Sequence, residues 1–465
     1  MLETLRKPLR GPFSHSIAAI VAGATLLSPS PGRAQSQTRQ VPVESLIFDL
    51  KNPDPVRRRE AATLLGQNKV QRAAPDLVAV VGDPDASVRR AIIGALQQLP
   101  DMGTLPGFVA LASDPEKDIR SRAIEGIIAL YLPQENGVMV TLNKIATFFN
   151  PWSDEWGDIV IEPNLTADPA AVEVLQARLQ DPEESLRIKA ARALGILRGR
   201  TAIPAMLSAV RDDRSNAVRF EAVRSLLKIG EPSVAPDLMN LITYPDPKVR
   251  HQAIYTIGRM RYHAAAPELA RVIAKESALP PKKIDQDYVE IVSGALAFIA
   301  DPVSKEEFVR DRASTDPILR LHANEGLARL GDTAMVTEIS ADRLKEKDPR
   351  VRTAQAFALY RMGRKEYLSE VVNALATRRA NKEAREYLVE LRPAELPDLL
   401  AETGRGDANV LEGIAEVLGF AGDQSAIPTL RDLTRDSRGQ ISALATQAIQ
   451  RISARAGSVT SKSQL

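Results

Sequence analysis

The sequence contains no cysteine among its 465 residues. Disulfide bonds, thiolate nucleophiles, iron–sulfur clusters and cysteine-ligated zinc sites are therefore excluded. Histidine is scarce as well, with four residues, and no His-Glu-x-x-His motif is present. The chain also lacks a Gly-x-Ser-x-Gly nucleophile turn and a glycine-rich phosphate loop. The sequence thus carries no catalytic motif and predicts no cofactor and no metal.

An excess of charge of one sign is also missing, because 61 Lys and Arg residues face 59 Asp and Glu residues for a net charge of +2. Binding to nucleic acid requires a concentrated positive surface, so we expect no nucleic-acid partner. Aromatic residues make up only 4% of the chain, whereas hydrophobic residues make up 44%. This composition favours a core of closely packed helices built on small aliphatic side chains.

Residues 1–34 have the three-part layout of a secretory signal. A positive start with Arg6 and Arg10 precedes an apolar run at 17–27, which is followed by a Pro/Ser/Gly stretch at 28–32. The apolar run is too short to span a bilayer, which requires about 20 residues. We therefore expect an exported protein of the bacterial periplasm or cell envelope, with no integral membrane segment in the mature chain.

Most of the remaining chain repeats one phrase, in which Asp-Pro is followed shortly by Val, Ile or Leu and then Arg. From Arg57 onward these arginines recur every 31 or 32 residues, except for two intervals of 67 and 70 residues. The pattern predicts about twelve units over residues 44–455. The repeated acidic and basic positions include Asp83, Arg89, Asp114, Arg120, Asp181, Arg187, Arg219, Asp246, Arg250, Asp348 and Arg352.

Each unit has the signals of two helices. In the first helix, Asp acts as the N-cap and Pro takes the first turn, while glycines such as Gly230, Gly331 and Gly363 mark the end. The second helix begins near an Ala-Ile-Pro phrase, as at 202–204 and 426–428. Two such helices cannot bury their apolar faces alone, so the units must stack into an all-α solenoid.

These phrases, Asp-Pro-x-x-x-Val-Arg, Ala-x-x-Ala-Leu-Gly and Ala-Ile-Pro-x-Leu, resemble HEAT repeats of the short class also described as phycobilin-lyase-like, in a secreted bacterial form. The resemblance implies stacked antiparallel helix pairs in a right-handed superhelical arc. It also implies that the repeated Asp and Arg residues form a structural ladder between adjacent units. Deoxyhypusine hydroxylase has a similar fold and binds iron through His-Glu dipeptides, but here Gln252 follows His251 and Ala323 follows His322.

The 67-residue interval contains an aromatic insertion at 133–167. Both tryptophans, and four of the 20 aromatic residues, fall within nine positions: Phe148, Phe149, Trp152 and Trp156. Three interpretations stay open. The segment folds back onto the solenoid with a small core of its own, it forms an aromatic anchor for a partner, or Asp154, Glu155 and Asp158 bind Ca²⁺.

These observations predict a 1–34 signal peptide, a 35–43 linker, a 44–455 solenoid carrying the insertion, and a disordered 456–465 tail. We expect a monomeric, non-catalytic scaffold or adaptor that binds a protein partner along its concave face, which we assign to the second helices. The alternative is an enzyme or regulatory subunit, lyase-like or hydroxylase-like, whose site is assembled on the inner helices.

Overall fold

The computed structural model describes residues 42–132 and 165–462, and over these ranges it contains helices and turns but no strand. The predicted signal peptide and most of the predicted linker lie outside the described residues. No helix in the described part of the chain is both long and apolar enough to cross a bilayer. The architecture is an α-solenoid of helix pairs, as the repeat pattern predicts.

After α1 (Val43–Asp49), each unit contributes a first helix that follows the Asp-Pro turn or its variant. Numbered in chain order with the intervening helices, the twelve first helices in the described ranges are α2 (Pro55–Gln67), α4 (Ala86–Gln98), α6 (Lys117–Tyr131), α8 (Glu184–Ile196), α10 (Asn216–Ile229), α11 (Pro247–Arg259), α13 (Gln286–Ile299), α15 (Pro317–Leu330), α17 (Pro349–Arg361), α19 (Asn381–Val389), α21 (Ala408–Ala421) and α23 (Gly439–Lys462).

The second helices form the other layer. They are shorter, a 3-10 turn usually leads into them, and several carry Pro in their first turn. In one unit the second helix, Pro232–Leu241, is entirely 3-10. The others are α3 (Ala74–Ala79), α5 (Leu105–Leu111), α7 (Pro169–Arg178), α9 (Ile203–Asp212), α12 (Ala266–Ser277), α14 (Lys305–Asp311), α16 (Val336–Arg343), α18 (Leu368–Asn373), α20 (Leu396–Ala401) and α22 (Ile427–Leu433).

Neighbouring first helices approach each other very closely, and small residues make this possible. A Cβ atom on Gly66 would lie 2.5 Å from the Cα of Ala95, and one on Gly258 would lie 2.6 Å from the Cα of Ala295. Real Cβ atoms do not come so close, so only glycine fits at these crossings. The low aromatic content of the chain follows from this spacing, since large rings cannot be repeated between the helices of every unit.

The repeat aspartates occupy two different positions relative to the arginine, although the predicted ladder combines them. Asp246 and Asp348 lie four residues before the repeat arginine and act as N-caps, each accepting hydrogen bonds from backbone N–H groups of its own helix. Neither accepts a hydrogen bond from the arginine of the preceding unit. Their assignment to the arginine ladder is therefore corrected: both start helices, and Asp246 is linked to the preceding unit by Nδ2 of Asn216, at 3.0 Å, and not by the repeat arginine.

Asp83, Asp114 and Asp181 lie six residues before the arginine of their own unit. Each accepts hydrogen bonds from the repeat arginine of the preceding unit. Arg89 donates from Nε and Nη2 to both carboxylate oxygens of Asp114, at 2.6 and 3.0 Å. Its Nη1 donates to the backbone oxygen of Asp83, at 2.9 Å. We call this arrangement a rung. Rungs of this geometry join Arg58 to Asp83, Arg89 to Asp114, Arg120 to Asp181, Arg187 to Asp213 and Arg320 to Glu346.

Other repeat arginines depart from this pattern. Arg219 donates to three backbone oxygens and lies over the ring of Tyr244, because Tyr244 occupies the position where an acid would stand. Arg250 reaches Asp285 through one longer contact of 3.4 Å. In the first unit the rung arginine is Arg58 and not Arg57, so the repeat begins one residue later than the sequence analysis placed it.

The long interval before Arg187 is an insertion inside one unit. Arg120 and Asp181 are 61 residues apart, yet they form a rung with distances of 2.8 and 3.0 Å. The backbone N–H of Asp168 donates to the hydroxyl of Tyr131 at 2.8 Å, which joins the two ends of the interruption. The stacking register therefore continues across the insertion. At the C-terminus, α23 extends to Lys462 and so reaches into the segment predicted to be a disordered tail.

Removal of a rung is expected to loosen the units on either side of it. Arg187→Ala leaves the Asp213 carboxylate, whose side chain is 7% exposed, without its guanidinium. Breaking a buried ion pair in this way costs about 3 to 5 kcal/mol. Because each unit contacts mainly its neighbours, the loss should appear locally, as faster hydrogen exchange in α8 and α9.

Arg219→Ala is the matched control, since Arg219 occupies the same repeat position but donates only to backbone oxygens. It should accelerate exchange less than Arg187→Ala does. Equal acceleration by both substitutions would show that the carboxylate contact does not hold the units together.

Candidate functional site: the inner face of the first helices

The helix α19 contacts first helices well beyond its neighbours in the chain. Glu390, just after α19, accepts from Arg261, just after α11, at 3.0 Å, although the two residues are 129 positions apart. Glu386 on α19 lies 3.8 Å from Arg259 on α11. Arg329 on α15 also donates to Glu390, at 2.8 Å. First helices from non-adjacent units therefore meet one another and line the inner face of the array.

This arrangement corrects the expectation that the concave face is formed by the second helices. The side chains that meet across the units come from α11, α15 and α19, all of which are first helices. Sequence periodicity identifies the two helices of a unit but not which of them faces inward. That choice depends on the small rotation between successive units, which the hydrophobic pattern of one unit does not encode.

A buried polar network joins α15 to α19. The hydroxyl of Tyr387 donates to Oε1 of Glu325 at 2.6 Å, and Nδ1 of His322 lies 3.1 Å from Oε2 of the same carboxylate. The Tyr387 ring stacks on Phe357 of α17, with ring centroids 4.5 Å apart. Tyr387 and Glu325 are both buried, so α19 is held by a fully satisfied polar contact and an aromatic contact together.

The charges of this network shift the pKa values of its members. Burial alone would raise the pKa of Glu325, but the hydrogen bond from His322 and the positive charge of Arg329 outweigh it and lower that pKa to about 2. Burial, together with the charge of Glu325, raises the pKa of Tyr387. Burial also raises the pKa of Glu386, and the positive charge of Arg259 offsets part of that increase.

Beside the network lies a cavity of about 300 Å³. Its apolar surface includes Phe298, Val389 and Phe420, of which Val389 is 40% exposed and Phe420 52% exposed. Phe298 lies under two guanidinium groups, those of Arg259 and Arg329, at 4.7 and 4.5 Å from the ring centroid. The cavity therefore combines exposed apolar surface with a rim of paired charges.

A second row of polar side chains, absent from the sequence predictions, runs along the first helices of earlier units. Arg192 on α8 donates to both carboxylate oxygens of Glu221 on α10, at 3.2 and 2.9 Å, and Arg224 reaches the same carboxylate. Lys189 contacts Glu125 of α6 at 2.7 Å. The signal was present in the sequence, because these residues lie two and five positions after the repeat arginine.

The described ranges bring no metal-binding group together, since they contain no cluster of three His, Cys, Asp or Glu side chains that could hold an ion. The predicted partner-binding residues Phe148, Phe149, Trp152 and Trp156 lie outside the described residues, as do the alternative calcium ligands Asp154, Glu155 and Asp158. The described candidate site is therefore the inner face around α11, α15 and α19, which is far along the chain from the aromatic insertion.

Comparison with known proteins identifies the repeats. A family model described as HEAT repeats matches residues 43–128, 161–226 and 203–280. No curated protein sequence matches the chain.

Among solved structures, an engineered protein is 18% identical, with 88% of this chain and 98% of that chain covered and a TM-score of 0.37. The complex of CpcE and CpcF of phycocyanin lyase from Nostoc sp. is 20% identical over 58% of this chain and 92% of that chain, with a TM-score of 0.27. Yeast importin-β (Kap95p) is 11% identical over 89% and 57%, with a TM-score of 0.41.

The buried network predicts a pH-dependent stability. A carboxyl group whose pKa is lower in the folded protein stabilises it fully above its unfolded pKa, and this stabilisation disappears as the pH falls toward the folded value. For Glu325 this stabilisation is therefore lost as the pH falls from 4.5 to about 2. Glu325→Gln should cost about 3 kcal/mol at pH 7, a cost that should shrink between pH 5 and pH 3.

The measurement is the midpoint of urea unfolding at a series of pH values, with Glu338→Gln on α16 as the control at an exposed position. The control should unfold as the unaltered protein does at each pH. A gap between Glu325→Gln and the unaltered protein that stays constant from pH 5 to pH 3 would contradict the lowered pKa of Glu325.

Proposed function

Because the chain is a HEAT-repeat protein, we propose that it is an exported, non-catalytic scaffold that binds a protein partner through its inner face. A solenoid has an extended surface for its chain length, and solenoid proteins use such surfaces to bind other molecules. The part of the inner face that lines the cavity beside Phe298, from α11, α13, α19 and α21, supplies the contact surface. The scaffold acts by positioning its partner, and its inner residues serve as binding groups.

The exposed apolar surface beside paired charges is the observation that carries this proposal. Phe420 and Val389 stay accessible on helices whose other large apolar residues are buried. Aromatic and Arg side chains are enriched in protein interfaces, where a few of them supply most of the binding energy. Arg259 and Arg329 over Phe298 already have this composition, so a partner side chain entering the cavity would meet a hot spot with a charged rim.

Export is supported by the layout of residues 1–34, which separates a positive start, an apolar run and a stretch of small residues. We therefore place the partner in the periplasm or at the cell envelope. A protein that lacks cysteine is also indifferent to the redox state of the compartment, since it has no thiol to oxidise.

A catalytic role for the inner face is the alternative, because clustered groups with shifted pKa values are also found in enzyme sites. Here each charged group finds its counterpart within the protein: Glu325 has Tyr387 and His322, and Glu390 has Arg261 and Arg329. Such closed pairing suits groups that hold helices in place. This supports a binding role for the face over a catalytic one.

Site-specific photo-crosslinking tests the proposed surface in intact cells. A photoreactive amino acid in place of Phe420 should crosslink to one defined protein, whereas the same amino acid in place of Leu344, which is 87% exposed near the end of α16, should not. Replacing Phe420 by Ala should weaken binding of the identified partner by about 2 kcal/mol or more, the usual cost of losing a hot-spot side chain.

Leu344→Ala is the matched control for that affinity measurement, because it removes an exposed apolar side chain of comparable kind. It should leave the affinity unchanged. Crosslinks of equal yield from both positions, or equal affinities of Phe420→Ala and the unaltered protein, would exclude the inner face as the binding surface.

The aromatic insertion has its own test. If Trp152 and Trp156 anchor the partner, a double substitution to Ala should lower the affinity for the partner at least tenfold while the thermal unfolding temperature stays constant. If the insertion only covers the solenoid, the same variant should bind normally but unfold at a lower temperature. The two readouts, affinity and unfolding temperature, separate the interpretations.

A further inference from the structure

The rung position of Arg352 lacks an acid, as that of Arg219 does, but here no aromatic ring of a described residue takes the place of the acid. Arg352 occupies the repeat position of Arg89, Arg120 and Arg187, and its Nη1 still lies near a backbone oxygen of its own unit, that of Glu346, at 3.4 Å. No carboxylate in the described part of the chain lies within ion-pair distance of Arg352. Its side chain is exposed, whereas the intact rung arginines are mostly buried.

The missing acid has been replaced by residues of opposite charge. The acceptor of each intact rung lies in the loop just before the next first helix, as Glu346 lies before α17. The corresponding loop before α19 carries Arg378 and Arg379, both exposed and both without an ion pair to any described residue. The nearby carboxylates are already engaged, Glu346 by Arg320 and Asp348 by Arg350.

A cavity of about 250 Å³ opens at this junction, between the end of α16, the start of α17 and α18. Arg343 and Arg352 line it together with the hydroxyl-bearing residues Thr353 and Thr377. Arg343 is buried and contacts Glu370, the acidic residue of the lining, whose side chain is 45% exposed. The cavity thus has two arginines in its lining, two more in the loop that follows Thr377, and one carboxylate to compensate them.

We propose that this cavity binds an oxyanion, a carboxylate or a phosphate group, in the place that an Asp or Glu side chain takes in the intact rungs. Arg352 donates from its planar fork of N–H groups, and Arg378 and Arg379 supply the charge that attracts the anion. The site lies between the loop edges of two units, so it is distinct from the inner face around Phe420.

The intact rungs show what geometry the anion would adopt. In each of them the arginine donates from Nε and Nη2 to two oxygens, at 2.6 to 3.1 Å. Guanidinium groups bind both carboxylates and phosphates through such paired hydrogen bonds. Arg352 lines the cavity, and the hydrogen bonds that its side chain donates to described residues come from Nη1 alone, to the backbone oxygens of Arg343 and Glu346.

Calorimetric titration at low ionic strength tests the site, with inorganic phosphate and glutarate as the probes. At least one of them should bind with one-to-one stoichiometry to the unaltered protein. Arg352→Ala should weaken that binding at least about tenfold, since charge-assisted hydrogen bonds are lost. Arg57→Ala, which removes an exposed arginine outside any rung, should bind as the unaltered protein does. Binding of phosphate alone would identify a phosphate site, and binding of glutarate a carboxylate site.

Restoring the acid provides an independent test. Arg378→Asp or Arg379→Asp would place a carboxylate in the loop where the intact rungs carry their acceptor, just before the next first helix, and so could complete the rung from within the chain. At least one of these variants should lose oxyanion binding and unfold at a higher temperature than the unaltered protein. The proposal is overturned if neither probe binds the unaltered protein, or if Arg352→Ala and both aspartate variants bind the probe unchanged.

Discussion

The paired hydrogen bonds between a repeat arginine and the carboxylate of the next unit set the geometry on which the rest of the solenoid depends. Burial of Ala, Leu, Val and Ile supplies the stability, but an apolar face permits more than one register between neighbouring helices. A rung such as Arg89 with Asp114 permits only one register, because its two hydrogen bonds require the guanidinium group and the carboxylate to lie in one plane. Each rung also ties a loop to its own unit through the backbone oxygen six residues before the arginine.

Because each rung is local, the array tolerates an interruption that a globular core would not. Arg120 reaches Asp181 across the inserted segment with the same geometry as rungs without an insertion. The units on either side therefore stack as though the insertion were absent. A solenoid can therefore accept a long addition at one unit without a change in the register of its neighbours.

The sequence predicted the features that recur in every unit, but not the contacts that depend on small rotations summed over several units. The period, the caps at Asp246 and Asp348, and the left-handed glycines Gly230 and Gly331 follow from local rules, and the structure contains them. The contact of Arg261 with Glu390 does not follow from any local rule, since it results from small rotations summed over several units. The same limit explains why the inner face was assigned to the wrong helices. Distinguishing the capping aspartate from the rung aspartate was possible from the sequence, because the two positions differ by two residues relative to the arginine.

Two departures from the regular array occur at the same unit. Arg378 and Arg379 stand in the loop before α19, so Arg352 cannot fix that loop against α17 as the other rung arginines fix theirs. Without this constraint α19 is positioned by other contacts, namely the stacking of Tyr387 on Phe357 and the hydrogen bond of Tyr387 to Glu325. The same helix α19 also meets α11, where Glu386 and Glu390 contact Arg259 and Arg261. The unit without an acid opposite Arg352 is therefore also the unit whose first helix joins the inner site beside Phe298.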